Sequence, residues 1–275
     1  MNFRDRAINH LSEYKRTVLR VSENGIWKRN GCRYGHILPE NLMTLNLLAG
    51  YREELHAYIR NRPVAIHPDF HHLNSSQALC LNFFYPMLVE GMTGLLLDLF
   101  QCGNEVFDGG EFEKISPADG THFDFHVWLK SGNRIYFEIK YTENGFGSAK
   151  DNAACQKRYN ETYSPLLAGK IRDGVDPYQA MVRHYQLLRN IAHVDPMRND
   201  RLIIICPKDN LKLRQEFEHV MNRIAAPVIH GRIRLLTWES VLQVLKTMLK
   251  RRSDVPERFV NHYIEFERKY LLPHG

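Results

Sequence analysis

Between Thr121 and Glu143 the chain reads THFDFHVWLKSGNRIYFEIKYTE. One carboxylate, Asp124, stands between Phe123 and Phe125. A second carboxylate and an amine, Glu138 and Lys140, stand among Phe137, Ile139 and Tyr141. Two acids and one ammonium can form a Mg2+ site with a cationic partner, because Mg2+ takes hard oxygen ligands. That chemistry requires the two segments to be neighbours. Ser131-Gly132-Asn133 joins two apolar-rich alternating runs, which is a hairpin signal. Side chains alternate along a strand, so Glu138 and Lys140 share one face and Phe137 and Ile139 the other. Asp124 falls on the neighbouring strand, where pairing can bring its carboxylate near Glu138. The alternative for all three is the exposed polar face of an edge hairpin.

Asp124 followed by Glu138-Ile139-Lys140 resembles the D…ExK core of the PD-(D/E)XK nuclease superfamily, the restriction-endonuclease-like fold. The longer run FEIKYTENGFG resembles a bacterial restriction-endonuclease-like group within it. The proline that often precedes the first acid is absent, since Thr121, His122 and Phe123 stand there. The resemblance implies an α/β fold with a mixed sheet and an αβββαβ core over residues 73–207. It implies a Mg2+-dependent deoxyribonuclease, with Mn2+ able to substitute, serving restriction or phage defence. Asp124 and Glu138 would bind the metal, with a backbone carbonyl near Ile139 completing the site. Lys140 would orient the attacking water or neutralise the scissile phosphate.

Two further roles follow from the same resemblance. Glu90 would be the acid on the helix before the sheet, with an exposed polar stripe as the alternative; Glu105, Asp108, Glu111 and Glu113 are rivals. Gln186, on the helix after the ExK strand, would position a phosphate or a metal-bound water. The expected partner is DNA, with RNA still open as substrate, and the chain can act as a homodimer. An inactive nucleic-acid-binding or interaction subunit on the same fold is the other reading.

The rest of the chain must position these groups. Its 275 residues, 44% hydrophobic, suffice for one large domain or a core with a smaller appendage. No apolar run approaches the roughly 20 residues of a membrane span. The segment MNFRDRAINHLSEYKRT carries charges throughout and lacks an apolar leader stretch. Five scattered cysteines without a CxxC pair read as reduced thiols in a cytoplasmic protein. A net charge of +6 tilts the partner towards a polyanion. A serine hydrolase is disfavoured despite 14 histidines, because no GxSxG elbow occurs.

Residues 1–62 read as a helical, basic N-terminal region, and residues 63–275 as the nuclease-like domain with a C-terminal strand and helices. In the first region basic residues interleave with Tyr14, Trp27 and Tyr34, a pattern that can track phosphates and stack on bases. Its alternative is a solvated helical face. The loop over 25–39, with Arg29 and Arg33, is the candidate DNA contact; Lys150 and Arg189 are two more. Adjacent His71 and His72 point apart and make a poor metal pair. One apolar helix over 75–101 is expected, kinked or divided at Pro86, Gly91 and Gly94. Strands follow over 104–115 and across the hairpin, then a helix from Asp176. Leu202–Cys206 reads as a buried strand, Arg232–Leu236 as another, and helices over 212–224, 237–249 and 256–270 complete the chain.

Overall fold

The computed structural model describes residues 1–62 and 64–273. Pro63, which with Pro68 makes residues 62–70 read in the sequence as an extended linker, lies outside them. Helix α1 (Phe3–Thr17) starts at Asn2, whose side chain accepts from the Asp5 amide. The stretch read as a loop holds a small antiparallel hairpin, β1 (Gly25–Ile26) and β2 (Arg33–Tyr34). Buried Lys15, in the last turn of α1, fastens it by donating to Glu23 O, Asn24 Oδ1 and Ile37 O. Gly25 is required there, because a Cβ would stand 2.0 Å from Leu38 O. A 3-10 stretch (Glu40–Asn46) then leads to α2 (Arg52–Asn61).

The expected long helix is two: α3 (Ser76–Val89), capped by Ser75, and α4 (Thr93–Leu99). They part at Glu90–Met92, where Gly91 adopts φ +67°. Three antiparallel strands follow, β3 (Phe107–Ile115), β4 (His122–Leu129) and β5 (Arg134–Ile139). Gly109 and Gly110 sit in β3 because the Trp128 and Phe125 rings occupy the space their side chains would fill. The ladder shifts register between Phe107 and Gly109. Residues 140–200 form the crossover to the next strand. They include α5 (Ala153–Arg158), a π turn, α6 (Ser164–Leu167), α7 (Pro177–Arg183) and α8 (Tyr185–Ala192). Strand β6 (Arg201–Cys206) and, after α9 (Leu211–His219), β7 (Ile233–Thr237) are parallel to β5. The chain closes with α10 (Trp238–Leu249), capped by Thr237, and α11 (Glu257–Tyr270).

The sheet order is β3-β4-β5-β6-β7, a mixed five-stranded sheet as expected. Both faces are covered, so β6 is an almost unbroken apolar run and β4 and β5 bury apolar side chains on both sides. Phe125, Phe137, Ile139, Ile203 and Ile205 point to one face, where α3, α10 and α11 pack. Phe84 of α3 stacks on Phe125 at 4.5 Å and meets Phe137 at 4.7 Å. Tyr136, Leu202, Ile204 and Cys206 point to the other, against α8 and the crossover. Ala7, Leu11, Leu38, Leu47 and Leu55 of the N-terminal region are buried in the same cluster as the α3 face of the sheet. No helix among the described residues is long and apolar enough to cross a membrane.

Candidate active site

Pairing between β4 and β5 runs from Trp128↔Arg134 to Phe125↔Phe137 and stops one rung short of Asp124 and Glu138. There the strands part, and the Asp124 carboxylate enters the gap: its Oδ2 accepts from the Ile139 amide at 2.6 Å. Alternation also breaks at this point. Phe125 belongs to the α3 face, whereas Phe123 packs on Tyr136 at the opposite face. On the other flank β3 pairs Phe112 with Phe125 and Lys114 with Phe123. Glu113 lies between, opposite Asp124, with φ +53°. A glutamate held in the left-handed region is uncommon, and such backbone costs about 1–3 kcal/mol. Gln77, in the first turn of α3, donates to Glu113 Oε1 at 2.9 Å. Three neighbouring strands thus bring Glu113, Asp124 and Glu138 together.

Glu138 and Lys140 share a face, as strand alternation requires. Lys140 Nζ stands 2.9 Å from Glu138 Oε1 and donates to Gln186 Oε1 at 2.7 Å. Gln186 Nε2 donates to Glu138 Oε1 at 2.6 Å, and Asn190 Nδ2 donates to Glu138 Oε2 at 2.7 Å. Gln186 and Asn190 are four apart, so both reach from one side of α8. The helix start is fixed by the segment after β5. The Tyr185 and Gln186 amides, otherwise free at a helix N-terminus, donate to the Gly147 and Phe146 carbonyls. The sequence reading gave Asn190 no role; its spacing from Gln186 was the available signal.

The electrostatics follow from this crowding. Burial raises the Asp124 carboxyl well above the usual range, and Glu138 and Glu113 push it further. Burial lifts Glu113 to about 7; the Gln77 bond opposes the rise and Glu138 adds to it. Burial disfavours the Lys140 ammonium, but Glu138, Glu143 and Asp124 outweigh it, so its pKa rises. The crowded acids therefore favour taking up protons, and a cation bound beside them would favour their ionised forms.

Asp124 and Glu113 line an open cleft of about 670 Å3, together with Gln77, Asn74, Thr142 and Glu143. Glu138 and Lys140, 2% and 5% exposed, lie in the layer behind. Glu90 is a correction to the sequence reading. It caps the far end of α3, where Tyr51 Oη and Arg258 Nε hydrogen-bond its Oε1 at 2.7 and 2.5 Å. Of its rivals, Glu105 holds the hairpin turn through Ser131 and Asn133, and Glu111 pairs with Lys114. Glu113 alone of these joins Asp124. Arg29 and Arg33 are exposed on the β1–β2 hairpin, and Lys150 is exposed after β5. The Arg189 guanidinium lies 5.6 Å over the Tyr185 ring.

Among the described residues no group of three or more His, Cys, Asp or Glu side chains is arranged to hold a metal ion. A Mg2+ site beside a phosphate needs only one or two carboxylates, because the ion keeps several waters. Asp124 offers a cleft-facing carboxylate with Oδ1 outside the Ile139 bond, and Glu138 keeps a lone pair on Oε2 beyond the Asn190 bond. The donor set, hard carboxylate oxygens whose mutual repulsion a cation would relieve, fits such an ion.

A family model described as Restriction Endonuclease associating with ARP matches residues 8–271. No curated protein matches the chain. No solved structure matches it either.

Proposed function

The chain belongs to the family of restriction endonucleases associating with ARP, and from that premise we propose that it is a metal-dependent endonuclease that hydrolyses DNA phosphodiester bonds in restriction or phage defence. The observation that carries this reading is the gap between β4 and β5. A strand pair that could have closed on Asp124 and Glu138 stays open, and the Asp124 carboxylate faces a cleft large enough for a nucleotide.

Each side chain then has a role. Asp124 and Glu138, with the Ile139 carbonyl beside them, would hold Mg2+, or Mn2+ in its place. Bound there, such an ion supplies Lewis-acid stabilisation of a scissile phosphate and lowers the pKa of a bound water. Lys140 keeps one N–H beyond its bonds to Glu138 and Gln186. That charge opposes the negative charge that grows on the phosphate as water adds and the P–O bond breaks. Gln186 and Asn190 fix the Glu138 rotamer and hold it beside Lys140. Gln77 orients Glu113 at the rim, where its raised pKa suits proton transfer near neutral pH. Arg29, Arg33, Lys150 and Arg189 would contact the nucleic acid backbone.

A second reading has its own observation. Glu138 and Lys140 are nearly closed to solvent and satisfied by each other and by α8. A nuclease centre that has become structural would look the same. In that case the chain is an inactive nucleic-acid-binding or interaction subunit on the same fold. Titration with Mg2+ or Mn2+, followed by melting temperature and by cleavage of supercoiled plasmid, separates the two. The enzyme reading requires a metal-dependent thermal shift and cutting; the subunit reading requires neither.

A further inference from the structure

The cleft has a second wall that the proposed chemistry does not use. Trp27 and Tyr34 of the β1–β2 hairpin, with His36 and His72, line it along with the acids. Their rings form a closed circuit of tilted and edge-to-face contacts. Centroids lie 6.0 Å apart for Trp27–Tyr34, 5.9 Å for Tyr34–His36, 6.1 Å for His36–His72 and 6.3 Å for His72–Trp27. We propose that this wall is a pocket for one unstacked nucleobase, so that the preferred substrate is a single strand or a base turned out of a duplex.

Two orphaned ring nitrogens point to a ligand. His36 Nδ1 and His72 Nε2 are buried without a hydrogen-bond partner. His72 is 8% exposed, and the Asp69 carboxylate stands 3.5 Å from its Nε2 without forming a bond. Burial holds both imidazoles neutral, at about 4. A neutral imidazole carries one donor and one acceptor, and buried polar atoms of this kind are normally paired. The two neutral imidazoles carry no charge with which to hold a phosphate. A planar heterocycle supplies what the wall lacks: a face to stack on the aromatic rings, and edge groups that pair with the two nitrogens once the imidazoles turn towards it.

The wall is held in place before anything binds. Lys15 anchors the hairpin from α1. Ile37 bridges His72 across an isolated antiparallel pair, Leu38 N donates to His71 O, and Leu73 N donates to His36 O. Asn46 Nδ2 donates to the His72 carbonyl at 2.8 Å. Arg29 lies 5.8 Å over the Trp27 ring, and Arg4 stands at the cleft, both able to meet a neighbouring phosphate. In a B-form duplex base faces are covered by stacking, so the wall can engage only a base that has left the stack.

The proposal rests on the nuclease reading for its site, but its test needs no cutting. Fluorescence anisotropy in EDTA would compare labelled single strands of about 12 nucleotides, in DNA and in RNA form, with the blunt duplex of the same sequence. The single strand is expected to bind at least about tenfold tighter than the duplex, and Trp27→Ala to lose about tenfold of the single-strand affinity alone. His72→Phe keeps the ring and removes the nitrogens; with its melting temperature unchanged it should weaken single-strand binding several-fold. The DNA and RNA arms identify which strand is preferred. Duplex affinity equal to single-strand affinity overturns the proposal, as does native affinity in both variants or no binding of either strand. Single-strand binding through Trp27 without any metal-dependent cutting would sink the nuclease reading and leave this one standing.

Discussion

The Asp124 carboxylate occupies a place that backbone usually takes: its Oδ2 accepts from the Ile139 amide at 2.6 Å where the β4–β5 ladder ends. A side chain thus terminates the strand pair at the edge of the cleft that Asp124 lines. The same bond ties Asp124 to the residue between Glu138 and Lys140, so the acid cannot shift without moving the strand that carries both.

Neutralising Asp124 should therefore separate stability from activity. Glu138 and Glu113 repel its charge, while an asparagine oxygen can still accept from Ile139. Asp124→Asn is expected to raise the melting temperature of the metal-free protein and to abolish cutting. Strained, charge-crowded sites commonly stabilise when simplified. Thermal unfolding in EDTA checks the first half, and a lower melting temperature would refute it.

Glu138→Ala and Lys140→Ala should behave differently from Asp124→Asn. Each leaves a buried charge without its partner, which costs about 3–5 kcal/mol. Both are expected to lower the denaturant midpoint sharply. The double variant Glu138→Leu/Lys140→Met, which removes both charges, should recover much of the loss. A double variant no more stable than the singles would show that the pair is not the buried unit described.

Gln186→Ala removes the group that bonds both members of that pair. It should cost about 1–3 kcal/mol, the penalty of leaving a buried polar group unpaired. The cutting rate should fall by about tenfold or more, because Glu138 loses a constraint on its position. Glu90→Gln, on the far end of α3, should leave the cutting rate unchanged. A rate loss in Glu90→Gln equal to that in Gln186→Ala would contradict the placement of both.

The hairpin, the shared face of Glu138 and Lys140, and the buried β6 strand were legible because strand alternation is a local rule. Glu90 misled for a physical reason. A glutamate in an apolar run signals a partner but not which one, and Arg258 arrives from α11, 168 residues further along the chain. The kink of Glu113 and the widening beyond Phe125 depend on three strands at once. The hairpin at 25–34 pairs only two residues per strand, too few for periodicity to register. The break between α7 and α8 falls at His184, where neither glycine nor proline marks it. The aromatic wall joins residues 27–36 to residue 72 through contacts no window of sequence contains.

Acid should weaken the fold through its buried histidines. Burial pushes His262 down to about 4, against the bond between its Nε2 and Asn82 O. In the unfolded chain histidine titrates near pH 6.5. Stability from a neutral buried imidazole is thus complete above about pH 6.5 and falls as pH drops towards 4, by up to about 1.4 kcal/mol per pH unit. His36 and His126 are shifted the same way. His262→Gln should flatten the decline measured by urea unfolding between pH 7 and 4. An unchanged slope would mean that His262 is not neutral in the fold.

The central claim is that Asp124 serves a metal-dependent cut made at the open end of the β4–β5 ladder. The direct measurement is nicking of supercoiled plasmid with Mg2+ or Mn2+, comparing the native chain with Asp124→Asn after both are shown to be folded by circular dichroism. The account predicts metal-dependent nicking by the native chain and none by the variant. Native-rate nicking by Asp124→Asn, or no nicking by the native chain with either ion, would contradict it.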